Sequence, residues 1–210
     1  MGRFFDLKNP PWKQLNRRLN NADQLLDGWE TLESRCREII GWRMQLVPYL
    51  TAAFQRYAID GTPPFRALVM DTPKDKRLLG VDDQYMIGGR MMVAPLFAAE
   101  PWRKVVIPEG NWHDFWTGEL IEGVGDFVVT GSTDKFPVFV KSGSIVPWAD
   151  VGLFAGAPES RRLTARVYGD GSLPFKLTDD EGTLLLNWSN GQGNASGTSR
   201  YEVYSWKQIG

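Results

Sequence analysis

The stretch DFVVTGSTDKFPVFVK, residues 126–141, contains two short apolar runs separated by Gly, Ser, Thr and Asp. Short apolar or alternating runs between turn-forming residues are typical of β-strands. Similar runs are found at 65–70, 91–97 and 104–108, and turn signals at 109–111, 117–118 and 142–143. This spacing favours an antiparallel β-sandwich over alternating βαβ units. The sequence therefore predicts a mainly β fold that follows an N-terminal helical segment.

The helical segment is indicated by apolar side chains at steps of three and four residues before the first strand. Such steps are typical of one buried face of a long helix. An Asp-x-x-Glu capping box at 27–30 predicts that the helix begins at Asp27. Pro48 lacks the N–H of a helical turn and its ring crowds the carbonyl four residues earlier, so we expect a bend or break between Met44 and Pro48. Gly61 and the prolines after it are expected to end the helix.

Changes in composition along the chain predict three segments. A helical segment is expected over residues 1–64, a proximal β-sandwich over 65–149, and a linker with a small distal β region over 150–210. The second boundary rests on the run 149–158, which is rich in Gly, Ala and Pro. About four more strands are expected beyond this run. So few strands form no core of their own unless they pack against the preceding domain.

Composition and charge exclude several classes of function. Twenty-four basic and twenty-five acidic residues leave a net charge of −1, without a block of one sign that would bind nucleic acid or an anionic membrane. One cysteine and one histidine predict neither a transition-metal site nor a cofactor site built on such residues. The first residues lack the layout of a secretory signal, so a cytoplasmic location is expected. The sequons at Asn187 and Asn194 are interpreted as chance matches.

Two groups of carboxylates are candidates for chemistry, Asp82-Asp83 and Asp179-Asp180-Glu181. Glycoside hydrolysis uses two carboxyl groups held about 5 to 10 Å apart across the scissile bond. Neighbours on a strand point to opposite faces, however, and Asp-Asp-Glu-Gly is common in turns. The turn interpretation is therefore favoured for both groups.

Three other motifs also have a structural interpretation. His113 precedes Asp114, but no Ser or Cys lies in a nucleophile-elbow setting, so a histidine on a surface strand or turn is favoured over a catalytic dyad. Cys36 lies on the apolar helix face and is expected in a core. Gly88-Gly89 lacks the spacing and the Lys of a phosphate loop.

Four tryptophans lie in strand or loop-edge contexts where one indole face could stack on a sugar ring. They are Trp112, Trp116, Trp148 and Trp188. Because large aromatic side chains dominate sandwich cores, we expect most of them to fill the core instead.

Five strings resemble, in collinear order, signatures of glycoside hydrolase family 31. They are RCREIIGWRMQLVPYLTAAFQRYAIDGTPPFRALVMDTPKD, VDDQYMIGGRMMVAPLF, VVIPEGNWHDFWTGE, FPVFVKSGSIVPW and LTDDEGT. The resemblance implies that the first string is the last helix of a (β/α)₈ barrel and that the middle three form a proximal C-terminal β-sandwich. The last string would begin a distal β domain.

The same resemblance implies a retaining reaction on α-glucosides or α-xylosides, with two catalytic aspartates on earlier barrel strands. No catalytic residue is therefore expected in this sequence. Asn9-Pro10-Pro11-Trp12 resembles the segment after the last barrel strand, which would place Trp12 at the pocket rim of a complete relative. Asp82, Asp83 and Gln84 are expected to form side-chain bonds that hold the connection between barrel and sandwich.

The resulting hypothesis is a C-terminal fragment of a family 31 α-glucosidase or α-xylosidase that is inactive alone. The family consists of O-glycosyl hydrolases but the catalytic barrel is not expected in this chain, so whether the chain is itself an enzyme stays open. An alternative is a non-catalytic carbohydrate-binding or assembly module with an oligosaccharide as partner. A third hypothesis concerns the apolar face of the helix at 27–57, which would contact a second copy or a complementary barrel fragment.

Overall fold

The computed structural model describes residues 29–96, 102–122, 125–130, 135–154 and 156–210. The chain divides into two compact units, Met1–Met44 and Gln45–Gly210. The described part of the first unit is the helix α1, Trp29–Gln45, whose last residue belongs to the second unit. The predicted start at Asp27 lies outside the described residues. Ile39 and Ile40 on α1 are each 51% exposed, so this part of the predicted apolar face is not buried.

The second unit begins with the helix α2, Val47–Asp60. Leu46 is a turn residue between α1 and α2, so the predicted break near Pro48 is confirmed. Pro48 lies in the first turn of α2, where its missing N–H costs little because that group has no partner within the helix. Gly61 ends α2 in the left-handed conformation at φ +76°. Its N–H donates to the carbonyl of Tyr57 at 2.9 Å, and the predicted end of the helix is also confirmed.

Strands make up most of the second unit. In chain order the described strands are β1 (Phe65–Ala67), β2 (Tyr85–Ile87), β3 (Met91–Val93), β4 (Trp102–Ile107), β5 (Trp112–Asp114), β6 (Leu120–Ile121), β7 (Gly125–Thr130), β8 (Val138–Lys141), β9 (Ile145–Ala149), β10 (Arg162–Tyr168), β11 (Phe175–Asp179), β12 (Gly182–Ser189), β13 (Gln192–Gly197) and β14 (Glu202–Ile209). Short 3₁₀ helices occupy Leu68–Met70, Lys76–Leu78 and Pro158–Arg161.

The largest sheet has six strands in the order β1-β2-β3-β8-β5-β6, and every pair in it is antiparallel. Side chains on its strands alternate between two apolar clusters, as the two-residue period of a strand requires. Met91 and Val93 pack into one cluster and Met92 into the other. Because the sheet is covered on both faces, the predicted mainly β fold with a sandwich core is confirmed.

A second sheet joins strands on either side of residue 150 in the order β14-β10-β9. Strand β10 is antiparallel to β9 and parallel to β14. The parallel pair departs from the expected antiparallel pattern. Parallel neighbours need a long crossover connection, and here the connection from β10 to β14 contains β11, β12 and β13, which form a separate sheet. Side chains of β10, β11 and β12 share one core cluster with β8 and β9, so the later strands pack against the earlier ones. The predicted boundaries of the three segments stay a prediction.

Some strands differ from the predicted runs. Only Phe65–Ala67 of the run 65–70 is extended, since Leu68–Met70 turns into a 3₁₀ helix. Strand β13 has the sequence QGNASG, a composition that disfavours strands, and it forms through its ladder with β12. Gly193 in β13 leaves room for Trp206, whose ring occupies the space of a side chain at that position.

In the part of the chain that the structure describes, none of the helices has the length and apolarity needed to span a membrane. The same residues contain no group of three or more His, Cys, Asp or Glu side chains arranged to hold a metal ion.

Candidate functional site

The segment that leads into β2 inserts a side chain between two strands. Gln84 is only 2% exposed. Its Nε2 donates to the carbonyl of Val106 at 2.9 Å, and its Oε1 accepts from the N–H of Val106 at 2.9 Å. The amide therefore acts as a strand partner for β4, and it satisfies two backbone groups that would otherwise be unpaired.

Beside Gln84, a buried arginine binds the same segment. The Arg103 side chain is 5% exposed and forms an ion pair with the carboxylate of Asp83. Its Nη1 also donates to the carbonyl of Asp83 at 3.1 Å and to that of Pro95 at 2.5 Å. A buried guanidinium is tolerated only when it is paired and hydrogen-bonded, so Arg103 links β4 to the residues before β2 and after β3.

Asp82, Asp83 and Gln84 have different surroundings. Asp83 and Gln84 make the contacts with Arg103 and Val106, whereas Asp82 is exposed. Sequence reasoning missed Arg103. It lies at every second position of β4 together with the buried Val105 and Ile107, so its side chain points to the same face of the strand. This two-residue period is the signal that could have predicted its burial. Whether this segment holds a connection to a barrel stays a prediction.

The carboxylate group near residue 180 forms a turn between β11 and β12, as predicted. Asp179 accepts hydrogen bonds from the N–H groups of Glu181 at 2.8 Å, Gly182 at 3.0 Å and Arg200 at 3.0 Å, and from Ser199 Oγ at 2.5 Å. Burial raises the pKa of Asp179, but the hydrogen bonds outweigh it and the pKa is lowered overall. The neighbouring Asp180 pairs with Arg200.

His113 is buried, at 3% exposure, so the expectation of a surface histidine is wrong. Its Nδ1 lies 3.0 Å from the carbonyl of Gly118 and its Nε2 lies 3.2 Å from Ser142 Oγ. Because a carbonyl only accepts, Nδ1 carries the proton in the neutral ring and Nε2 accepts from the serine. The ring fixes the turn after β5, and packing of strand β5 against β8 explains its burial.

Asp114 does not form a dyad with His113. Its Oδ1 accepts from the N–H groups of Trp116 at 2.8 Å and Thr117 at 2.7 Å, and from Thr117 Oγ1 at 3.0 Å. This pattern is an Asx-type turn. The carboxylate and the imidazole therefore stabilise the same turn through different backbone groups.

The four candidate tryptophans are placed in or against the core. Trp112 is 3% exposed and its Nε1 donates to the carbonyl of Pro108 at 3.2 Å, so the core prediction is confirmed for this residue. Trp116, Trp148 and Trp188 are half-buried and pack against the larger core cluster. The guanidinium of Arg166 lies 5.1 Å from the Trp148 ring centre, which covers one indole face. Trp12 lies outside the described residues.

A groove of about 330 Å³ lies between α2, the β2–β3 turn and the start of β11. We call it the Arg90 groove. Its lining includes Tyr49, Gln55, Arg56, Gly89, Arg90 and Lys176. All of its described lining residues belong to the second unit. Sequence reasoning missed this groove, because it forms where segments far apart in the chain meet.

Comparison with known proteins gives this fold a family. Residues 61–146 match the family described as "Glycosyl hydrolase family 31 C-terminal domain". The chain is 30% identical over 156 residues to "Alpha-glucosidase 2" of Bacillus thermoamyloliquefaciens, covering 73% of this chain and 20% of the relative. It is 34% identical over 143 residues to "Alpha-xylosidase" of Saccharolobus solfataricus, covering 67% of this chain and 19% of the relative.

A solved structure with the same fold is the cycloalternan-forming enzyme from Listeria monocytogenes in complex with a pentasaccharide substrate. Its TM-score is 0.68 at 28% identity, with 75% of this chain and 16% of that chain covered. The chain thus spans a fifth or less of the length of these relatives.

The fold and these comparisons define a C-terminal β-sandwich domain. The chain belongs to glycosyl hydrolase family 31 and carries the C-terminal domain of that family. The resemblance inferred from the five sequence strings is therefore confirmed, as is the fold class that it implied.

Proposed function

We propose that this chain forms the C-terminal β-sandwich of a retaining family 31 glycosidase that acts on α-linked glucosides or xylosides. The observation that carries the proposal is the match of residues 61–146 to the C-terminal domain of the family. Its relatives include an α-glucosidase and an α-xylosidase. In this proposal the sandwich supports the fold of the glycosidase, and the described residues do not cleave the glycosidic bond.

The contacts of the candidate carboxylates support a structural role. Asp83 is paired with Arg103, Asp114 accepts three hydrogen bonds within its own turn, and Asp179 accepts four in the β11–β12 turn. A general acid or nucleophile must instead present its carboxyl group to the substrate, across from a second carboxyl group. The geometry of these three residues favours scaffolding over chemistry.

An aromatic surface on the second unit supports docking to a barrel of the same family. Phe54 on α2 is 52% exposed, and Phe65 on β1 is 45% exposed. Their rings lie 6.1 Å apart in an edge-to-face arrangement, and Tyr85 continues the row at 6.4 Å from Phe65. Exposed contiguous aromatic surface is typical of interaction sites. We infer that these three rings contact the barrel.

The proposal is tested with aryl α-glucoside and aryl α-xyloside substrates at high concentration of the purified chain. We expect no turnover above a buffer blank. Asp82→Asn and Asp83→Asn are the two variants. Asp82 is exposed and its replacement leaves the Arg103 pair intact, whereas Asp83→Asn removes that pair, so thermal unfolding checks the fold of both. Turnover that follows the chain through purification and disappears in either variant would contradict the proposal.

The alternative function is a non-catalytic carbohydrate-binding module. It is favoured by the pentasaccharide complex of the Listeria relative and by Trp102, which is 56% exposed. Titration with malto- and xylo-oligosaccharides, followed by tryptophan fluorescence, separates the two functions. Saturable quenching that is lost in Trp102→Ala supports the binding module, and a flat response supports the scaffold.

Self-association through the aromatic surface would be a further use of the same rings. Sedimentation velocity over a range of concentrations measures it directly. A concentration-dependent dimer that dissociates in Phe54→Ser supports pairing of two copies. A monomer at all concentrations leaves a barrel as the partner of this surface.

A further inference from the structure

The Arg90 groove has an unusual charge for a chain with a net charge of −1. Four cationic residues line it, Arg56, Arg66, Arg90 and Lys176, and none of its described lining residues is Asp or Glu. Its volume of about 330 Å³ lies at the lower end of the range for small-molecule sites. The groove is therefore large enough for a ligand about the size of a monosaccharide.

Arg90 is the central cation of this groove. Its Nη1 donates to the carbonyl of Leu173 at 2.8 Å and its Nη2 donates to the carbonyl of Pro174. Its guanidinium lies 5.5 Å from the ring centre of Phe175. Burial lowers the pKa of Arg90. No carboxylate pairs with it in the described part of the chain, and two carbonyl bonds leave three of its five N–H groups for a ligand.

The position of Arg90 is preorganised by its neighbours. Its backbone N–H donates to Tyr49 Oη at 3.2 Å, and Tyr49 Oη donates to the carbonyl of Ile87 at 2.7 Å. Gly88 adopts φ +58°, and a β-carbon there would lie 2.7 Å from Tyr49 Oη. The tight β2–β3 turn thus holds Arg90 against α2, which reduces the entropy that a ligand would have to overcome.

Two cations at the rim remain available to a ligand. Arg56 is 58% exposed and forms a 3.2 Å pair with Asp60 one helical turn away, a kind of pair that contributes little in water. Lys176 is exposed and has no carboxylate partner among the described residues. Arg66 is different, because both oxygens of Asp71 accept from it at 2.6 Å and neutralise its charge.

We propose that the Arg90 groove binds a small organic anion of about monosaccharide size, such as a sugar phosphate or a sugar carboxylate. The oxyanion would lie between Arg90 and Lys176, with Arg56 at the rim. Guanidinium groups recognise carboxylate and phosphate oxygens through paired N–H donors. The proposal does not depend on glycosidase activity. Arg56, Arg90 and Lys176 lie outside the two groups of candidate carboxylates, Asp82-Asp83 and Asp179-Asp180-Glu181.

Isothermal titration calorimetry of the chain with three sugars tests the proposal. Glucose 6-phosphate and glucuronate provide the two oxyanions, and glucose is the neutral control of similar size. We expect saturable binding of at least one of the two anions and no binding of glucose. Whether glucose 6-phosphate or glucuronate binds identifies the oxyanion as a phosphate or a carboxylate. Raising the salt concentration of the unsubstituted chain should weaken the binding.

A double variant, Arg56→Gln with Lys176→Gln, should raise the Kd for the anion at least tenfold. A tenfold change is about what the loss of one charge-assisted hydrogen bond produces. Lys207→Gln is the matched control, since Lys207 is exposed and does not line the groove. Thermal unfolding of each variant checks its fold, and the salt dependence is independent of any variant. Equal binding of glucose, equal affinity in the double variant, or no heat from either anion at millimolar concentration would overturn the proposal.

Discussion

The side-chain amide of Gln84 forms the two hydrogen bonds that the backbone of Val106 would otherwise exchange with a neighbouring strand, at 2.9 Å each. Gln84 is only 2% exposed, so the amide end of both bonds is shielded from water. A side chain thus takes the place of a ladder partner at the point where β4 meets the six-stranded sheet.

The first prediction concerns this amide. Gln84→Ala leaves the N–H and the carbonyl of Val106 without a partner and also opens a small cavity. We expect the free energy of unfolding to fall by about 2 to 4 kcal/mol, measured by urea denaturation. Gln192→Ala on the exposed strand β13 is the control and should change it by less than about 0.5 kcal/mol. Equal effects of the two variants would contradict the assigned role.

The second prediction concerns the Arg103–Asp83 pair. The Arg103 side chain is 5% exposed and that of Asp83 is 41% exposed, so water screens the pair in part. A double-mutant cycle with Asp83→Asn and Arg103→Met should give a coupling energy of about 1 kcal/mol. The exposed pair of Lys104 and Asp126, at 62% and 41% exposure, is the comparison and should give a coupling below about 0.5 kcal/mol.

The third prediction concerns pH. The pKa of Asp179 is lowered in the folded chain, whereas an unfolded aspartate titrates near a pKa of about 3.9. The charged form therefore stabilises the fold above about pH 4, and this contribution is lost as the pH falls through the lower folded pKa. Asp179→Asn should reduce stability at pH 7, and the difference from the unsubstituted chain should shrink below pH 4.

Thermal unfolding between about pH 2.5 and pH 7 measures this difference over the window in which aspartates titrate. Asp180→Asn is the neighbouring control, because the Asp180 side chain is 72% exposed. A difference for Asp179→Asn that stays constant over the whole range would show that its carboxylate charge does not stabilise the turn.

The fourth prediction concerns the β2–β3 turn. Gly88→Ala would place a β-carbon 2.7 Å from Tyr49 Oη at φ +58°, so we expect a loss of about 1 to 3 kcal/mol. Gly61→Ala is the control, because Gly61 has a similar φ of +76° but open space around it. The loss for Gly88→Ala beyond that for Gly61→Ala measures the steric contact with Tyr49. Equal losses would mean that only backbone conformation matters.

Patterns local in sequence predicted a substantial part of this structure. The break before α2 follows from Pro48, the end of α2 from Gly61, and the β11–β12 turn from Asp179 and its neighbours. Each of these depends on the conformational preferences of a few adjacent residues. The spacing of strands and turns predicted the sandwich, the five strings added the family, and the comparisons confirm both.

Contacts between distant segments were not predictable in the same way. His113 was expected on a surface strand or turn, yet it lies on β5, which pairs with β8, and it is buried. The parallel alignment of β10 with β14 depends on how three intervening strands fold. The Arg90 groove joins residues from α2, the β2–β3 turn and β11, and no spacing rule relates these positions.

The sequence by itself determined the order of helix and strands, the turns, and the membership of the chain in family 31. Only the tertiary structure decided which charges are buried, such as Arg103, and which are left without a carboxylate partner in the described part of the chain, such as Arg90. The physical reason is that backbone preferences act over a few residues, whereas burial and counter-charge depend on segments that are brought together only when the core forms.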